Sequence, residues 1–375
     1  MKEGWKMVKL GEICETTAGG TPSKTHKEYY EGGKIPWMLS GEVCQKYIYE
    51  VEHYITSEGL ENSSAKLFPI NSVVVAMYGA TAGQVGILKI ETSTNQAVCG
   101  ILPNDKMSPE FLYYYFLYYK DILVAQAVGN AQPNISQQKI KAVEIPLLSL
   151  EEQHRIVGIL DAAFAKIDAL KANAEANLAN AKALFQQVLA QELQPKEGWV
   201  EKKLGEFAYM KAGDFVKASD IHTNSDEGLF PCYGGNGLRG YVSEPNQEGD
   251  YCLIGRQGAL CGCIHRVSGI YRTTEHAVIV KPYEEIPTTL VYYLLVSLDL
   301  NKYATGAAQP GLSVKNISEN VIISIPPLSE QHRIVSTLDT LSEKCRRLEQ
   351  VAQQTIRECD ALKQSILRQA FSGEL

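Results

Sequence analysis

Four residues invite a metal ion: Cys252, Cys261, Cys263 and His265 lie close together in the chain. Thiolate and imidazole suit zinc, but structural sites draw on paired Cys-x-x-Cys spacing, and alternate residues of a strand point to opposite faces. The group is therefore not read as a metal site, and no cofactor is expected. Glu201-Lys202-Lys203 mimics part of a nuclease centre without Pro-Asp ahead of it, and reads as solvated charge. The sole Pro-Pro, Pro326-Pro327, stands between Ile325 and Leu328, so it lacks the Asn/Asp and aromatic neighbours that methyl transfer to adenine uses. P-loop, His-Glu-x-x-His and Gly-x-Ser-x-Gly strings are absent from the sequence. No residue set is read as catalytic.

Two glycine-rich turns are more informative. Gly79-Ala80-Thr81-Ala82-Gly83-Gln84-Val85-Gly86 and Gly234-Gly235-Asn236-Gly237-Leu238-Arg239-Gly240 lack the Lys-Ser/Thr ending of a phosphate cradle. As tight turns they can hold Thr81, Gln84, Asn236, Arg239, Arg256 and Gln257 toward a groove, where Arg suits guanine edges and Asn or Gln suits adenine. Residues 1–150 contain no arginine, whereas the later module has Arg239, Arg256, Arg266 and Arg272. If both read bases, the two half-sites differ. Tyr113-Tyr114-Tyr115 and Tyr118-Tyr119 could stack bases, although helical spacing favours a core role.

The elements that would position these residues occur twice. Lys2-Glu3-Gly4-Trp5 returns as Lys196-Glu197-Gly198-Trp199, and Leu10-Gly11-Glu12 returns as Leu204-Gly205-Glu206. Glu152-Gln153-His154-Arg155-Ile156-Val157 recurs 178 residues on as Glu330-Gln331-His332-Arg333-Ile334-Val335. Between these anchors the identities thin out: Gly79 and Gly86 match Gly255 and Gly262, Thr94 and Ala97 match Thr274 and Ala277, and Gln132-Pro133 matches Gln309-Pro310. A repeated frame with unlike filling suits two modules mounted alike that recognise different things.

A long heptad pattern follows each Glu-Gln-His-Arg. Ile156, Leu160, Ala163, Ile167, Leu170, Ala174, Asn177, Ala181, Leu184 and Val188 predict one seam. Ile334, Leu338, Leu341, Cys345, Leu348, Ala352, Thr355, Cys359, Leu362 and Ile366 predict the other, in the same phase. Each helix should run about 40 residues, roughly 60 Å. A duplicated chain favours pairing the two antiparallel about a pseudo-two-fold, with Asn177 and Thr355 as polar seam positions able to fix register. The expected class is α+β: two mixed α/β modules joined by two long antiparallel helices in a coiled coil. The expected boundaries are 1–150, first module; 151–195, central helix; 196–328, second module; and 329–375, C-terminal helix. His154 and His332, duplicated at the helix starts, read as architecture or as contacts to a partner.

Composition sets limits on all this. A chain of 375 residues exceeds one hydrophobic core. No apolar run approaches the roughly 20 residues of a membrane span, and nine cysteines without framework spacing suit reduced thiols, so a cytoplasmic protein is expected. The net charge of −7 argues against binding nucleic acid by electrostatics alone. It also keeps open a rival reading, a coiled-coil scaffold whose globular ends bind proteins.

The order of variable module, helix, variable module, helix, each helix opened by Glu-Gln-His-Arg-Ile-Val, resembles the specificity subunits of Type I restriction-modification systems over essentially the whole chain. Thr17-Ala18-Gly19-Gly20-Thr21-Pro22, Ile35-Pro36-Trp37, Tyr233-Gly234-Gly235-Asn236-Gly237 and Ala370-Phe371-Ser372-Gly373-Glu374-Leu375 are also similar to that family. The resemblance implies a bipartite target in double-stranded DNA, with each module a target-recognition domain reading one half-site and the helices setting the spacing. Thr21 and Lys24 join Thr81, Gln84, Asn236, Arg239, Arg256 and Gln257 as DNA-binding candidates. It further implies that adenine methyltransferase subunits, two of them, dock on the helical regions, with Gln153, His154, Arg155, Gln331, His332 and Arg333 as docking candidates. Restriction and translocation would come from further subunits, and no membrane is involved. Pro146 to Gln153 is longer by two residues than Pro326 to Gln331, so the docking surfaces need not be equivalent.

Overall fold

The computed structural model describes residues 5–126, 134–258, 260–306 and 311–375. The matches at Lys2 to Gly4, Gln132-Pro133 and Gln309-Pro310 fall wholly or partly outside them. The chain forms two compact units, Met1–Glu175 with Gln354–Leu375, and Ala176–Gln353.

In the first unit the order is β1 (Met7–Lys9), α1 (Leu10–Ile13), β2 (Thr16–Ala18), β3 (Ile35–Met38), β4 (Tyr47–Ile48), β5 (Tyr54–Ile55), α2 (Ser57–Glu61), β6 (Leu67–Phe68), β7 (Val73–Ala76), β8 (Val85–Leu88), β9 (Thr92–Thr94), β10 (Val98–Ile101), α3 (Pro109–Ala125), α4 (Gln137–Lys141) and β11 (Glu144–Pro146). A five-stranded sheet runs β2-β10-β7-β8-β4 and a four-stranded one β5-β3-β9-β6, while β1 pairs with β11. The β-branched run Val73-Val74-Val75 makes β7 a strand buried on both faces. Ser108 caps α3 by accepting from the Phe111 N–H, with Pro109 at the first helical position.

The helix α5 (Leu150–Glu192) follows. The second unit then contains β12 (Val200–Lys203), α6 (Leu204–Phe207), β13 (Ala208–Ala212), β14 (Phe230–Gly234), β15 (Gly237–Val242), β16 (Gln247–Glu248), β17 (Tyr251–Gly255), β18 (Ile264–Val267), β19 (Ile270–Thr273), β20 (Ala277–Pro282), α7 (Thr288–Ser297), α8 (Val314–Asn320) and β21 (Ile322–Ile325). Its sheets run β13-β20-β17-β18 and β15-β14-β19-β16, with β12 on β21. The last element is α9 (Leu328–Ser372).

Apart from the extra edge strand β4, the same strand order appears in both units, but its register corrects the matching by identity. β10 sets Val98 against Ala76, and β20 sets Ala277 against Gly255. Gly83 N–H bonds to Ala76 O and Gly262 N–H to Gly255 O, at 2.8 and 2.7 Å. Hence Gly79 corresponds to Gly258 and Gly83 to Gly262, each with positive φ, and Thr94 corresponds to Thr273. Gly255 instead occupies the place of Ala76, where a Cβ would lie 2.1 Å from Gly235 O. Identical letters one to three positions away had taken the place of true equivalents.

The two long helices have 43 and 45 residues, about 65 Å each. In the first unit Asp168 pairs with Lys363, and Lys171 with Asp360 at 2.7 Å, so numbering rises along α5 as it falls along α9. In the second, Glu192 meets Arg333 at 2.9 Å in the same sense. The helices are antiparallel, and the α+β class with a helical coiled coil is observed. The predicted seam is only half right. Leu160, Ile167, Ala174 and Ala181 are buried, as are Leu338, Cys345, Ala352 and Cys359. Of the alternate positions, Ile156 and Ile334 are buried and Ala163, Leu341 and Thr355 half-buried, while the rest are displaced by one residue. Leu170, Leu184, Leu348 and Leu362 are about half exposed and Asn177 is exposed, whereas Phe164, Lys171, Leu178 and Phe185 flank the buried row. Lysine stems line this flank because their ammonium groups reach Asp360 and Asp168 at the rim. A rule that places leucine in the seam and lysine in solvent chooses the wrong neighbour.

The tyrosine cluster is core. Tyr114 meets Phe164 edge-on at 5.3 Å and Tyr115 meets Phe371 at 5.0 Å, so α3 is packed by both long helices, and a base-stacking platform is ruled out for the buried Tyr114 and Tyr115. Burial holds the Tyr113 phenol up at about 12.

Candidate nucleic-acid interface

Strand direction gathers the polar loops at one end of each unit's sheets. In the first unit, β2 and β7 end where β10 begins, because Ala18 pairs with Cys99 and Ala76 with Val98. The β2–β3 loop with Thr21, the β7–β8 turn with Thr81 and Gln84, and the β9–β10 link Asn95-Gln96-Ala97 therefore leave from the same edge. Thr21 Oγ donates to Gln96 Oε1. Thr81 Oγ leans on Tyr78 O at 3.3 Å. Gln84 is half-buried, and its Oε1 is shielded without a partner among the described residues. Lys24 is exposed farther along the β2–β3 loop.

In the second unit the same edge carries the hairpin turn at Asn236, the loop from Arg256 and the link Thr274-Glu275-His276. Asn236, Arg239 and Gln257 are exposed. Gly237 adopts φ 90°, which allows the tight turn Gly234 to Gly237 that presents Asn236. Arg256 is half-buried, and its Nη1 donates to Glu275 O at 3.4 Å, so part of this guanidinium holds backbone. Glu275 Oε1 lies 3.1 Å from His276 Nε2. Glu275 Oε2, His276 Nδ1, Arg256 Nε and Thr274 Oγ are shielded without partners among the described residues, an unusual concentration at one edge. Glu275, His276, Asn95 and Gln96 were not singled out from sequence. The available signal was a short dissimilar stretch between framework residues.

The cysteines serve packing here. Cys263 Sγ donates to Gly235 O at 2.8 Å and lies 3.4 Å from His265 Nε2, while burial raises the Cys252 thiol to about 12. Among the described residues no three His, Cys, Asp or Glu side chains gather as a metal site.

The helix-start residues split by exposure. Gln153 is fully buried: Ser108 N–H donates to its Oε1 at 2.8 Å, and its Nε2 donates to Lys106 O at 2.8 Å and Leu148 O at 3.0 Å. Gln331 is buried with one such bond, to Pro326 O at 3.0 Å. Gln153 thus bolts its helix to the α3 end of its unit, whereas Gln331 ties only to the chain just ahead of its own helix. His154, Arg155, His332 and Arg333 are exposed, with Arg155 forked onto Glu152 and donating to Leu375 O at 2.9 Å.

A duplicated α+β unit with polar loops gathered at one sheet edge, each copy followed by a long helix, points to the class of protein. The profile of the Type I restriction modification DNA specificity domain matches residues 2–179 and again 196–358, and the chain belongs to that family. It is similar to the Type I restriction enzyme EcoprrI specificity subunit of Escherichia coli, 32% identical over 355 residues, covering 88% of this chain and 86% of the relative. It is also similar to the MjaIX specificity subunit of Methanocaldococcus jannaschii, 31% identical over 242 residues, covering 58% and 55%. Among solved structures, a chain from work on complex assembly and conformational transition of the type I R-M system superposes with TM-score 0.81 at 22% identity, covering 100% and 99%. The HsdS subunit of Thermoanaerobacter tengcongensis gives 0.55 at 22%, covering 100% and 98%. Both share the fold. The chain is thus a Type I specificity subunit, the non-catalytic component of its system.

Proposed function

We propose that this subunit reads an asymmetric bipartite DNA target, residues 1–150 and 196–328 each taking one half-site, and docks two adenine methyltransferase subunits on residues 151–195 and 329–375. The supporting observation is the edge just described: the same backbone frame in each unit presents Thr21, Thr81 and Gln84 in one case and Asn236, Arg239, Arg256 and Gln257 in the other. Lys24 adds a phosphate contact. Docking falls to the exposed His154, Arg155, His332 and Arg333, with Gln153 and Gln331 setting the helix starts from inside. Restriction and translocase subunits join the same assembly in the cytoplasm, where the nine thiols stay reduced. No helix among the described residues is long and apolar enough to cross a membrane.

The net charge of −7 favours one rival, a scaffold whose modules bind proteins. Salt separates the two, since phosphate contacts release counterions and affinity falls steeply with salt. Exchange of residues 1–150 for another module, assayed in the complex with methyltransferase, should change one half of the methylated target and leave the other. Loss of specificity in both halves, or duplex affinity indifferent to salt, contradicts the proposal.

A further inference from the structure

Gln96 and Glu275 occupy one and the same backbone position in the two units. Four backbone hydrogen bonds, each made in both units, establish this. Asn95 N–H donates to Met38 O at 3.0 Å, as Thr274 N–H does to Tyr233 O at 2.9 Å. Gly19 N–H donates to Val98 O at 3.1 Å, as Gly213 N–H does to Ala277 O at 3.0 Å. Gly20 N–H donates to Thr94 O at 2.8 Å, as Asp214 N–H does to Thr273 O at 3.2 Å. Met77 N–H donates to Ala97 O at 2.7 Å, as Arg256 N–H does to His276 O at 3.0 Å. The residue enclosed by this frame is Gln96 in the first unit and Glu275 in the second.

The two side chains are nearly isosteric and differ in chemistry. Gln96 is exposed, and Thr21 Oγ donates to its Oε1, which fixes the plane of the amide. An amide so oriented can accept from adenine N6 and donate to N7. Glu275 has only acceptors. Its side chain is partly exposed, its Oε1 lies 3.1 Å from His276 Nε2, and its Oε2 is shielded without a partner among the described residues, so a base amino group is met by Oε1 or, once the side chain rotates, by Oε2. A carboxylate is repelled by phosphate, and among base edges it gains by accepting from an amino group, with cytosine N4 its characteristic partner. Arg256 acts behind it as a positioning residue, holding Glu275 O.

We propose that Gln96 and Glu275 are the equivalent base-reading residues of the two half-sites, Gln96 against adenine and Glu275 against cytosine. This rests on the DNA-reading function proposed above. The test is selection of duplexes from a randomised library by the subunit in complex with its methyltransferase, for the parent, Gln96→Glu and Glu275→Gln. Each substitution changes one atom type and hardly any volume. Glu275→Gln should lower the preference for cytosine at one position of one half-site by roughly 5- to 150-fold, the other half-site unchanged. Gln96→Glu should weaken adenine at one position of the other half-site by a similar factor. A parent that selects no two-part sequence refutes the function and this inference with it. A parent that selects one, with both variants keeping its preferences or either altering both halves, overturns the inference alone. If Glu275→Gln fails to assemble, Gln96→Glu, at an exposed position, decides by the same criterion.

Discussion

Replacing Gln153 by alanine should destabilise the protein much more than replacing Gln331, although the two glutamines are copies of one motif. Gln153 is fully buried and joins three backbone groups, the Ser108 N–H and the Lys106 and Leu148 carbonyls. Each net hydrogen bond is worth about 1 kcal/mol, and a buried donor left unmade costs about 1–3. Truncation orphans the Ser108 N–H and removes two bonds to carbonyls, so the expected loss is about 3–5 kcal/mol. Among the described residues Gln331 makes one bond, to Pro326 O, and its Oε1 has no partner, so its loss should be about 1 kcal/mol. At about 2–4 °C per kcal/mol for domains of this size, Gln153→Ala lowers Tm by about 10 °C and Gln331→Ala by about 3 °C. Calorimetry of the single variants reads this, and amide exchange at Ser108 localises it. Equal Tm losses, or a Ser108 amide that exchanges freely in the parent protein, would refute the bolt-like role given to Gln153.

Further outcomes follow from the same physics. His154→Ala with His332→Ala should weaken capture of the methyltransferase subunit by roughly tenfold while unfolding stays unchanged, as measured by titration of one purified component into the other. Stability should decline as pH rises above about 9: burial raises the Cys99 and Cys252 thiols from 9.0 to about 12, so the unfolded chain loses those protons first. Denaturant titrations at pH 8, 9 and 10 check this, and Cys99→Ala with Cys252→Ala should flatten the slope between 9 and 10. Inserting seven residues at matching places in α5 and α9 lengthens each by about 10.5 Å and should widen the gap between half-sites by about three base pairs; an unchanged gap contradicts the spacing role of the helices.

Much of this architecture is legible in the sequence because duplication repeats the strongest signals. Glu-Gln-His-Arg-Ile-Val marks both helix starts, and the Pro- and Gly-poor stretches after it run as helices to Glu192 and Ser372. The seam was legible only in its buried row. Leu170 and Lys171 compete for one flank, and the choice depends on Asp360, which lies 189 residues away. Register inside the modules was obscured for a related reason. Gly79 and Gly255 share a letter for different causes: the first sits in a positive-φ turn, and the second admits the backbone of Gly235. Turn chemistry flags Thr81, Gln84, Asn236 and Arg239 as interface candidates. Gln96 and Glu275 escaped notice, since only the hydrogen bonds around them reveal a shared position.

The most direct test of the central claim is mapping methylated adenines in DNA from cells that express this chain with its methyltransferase as the only such system. The account predicts two short unlike blocks separated by a constant run of unspecified bases. One contiguous block, or two identical halves, would contradict it.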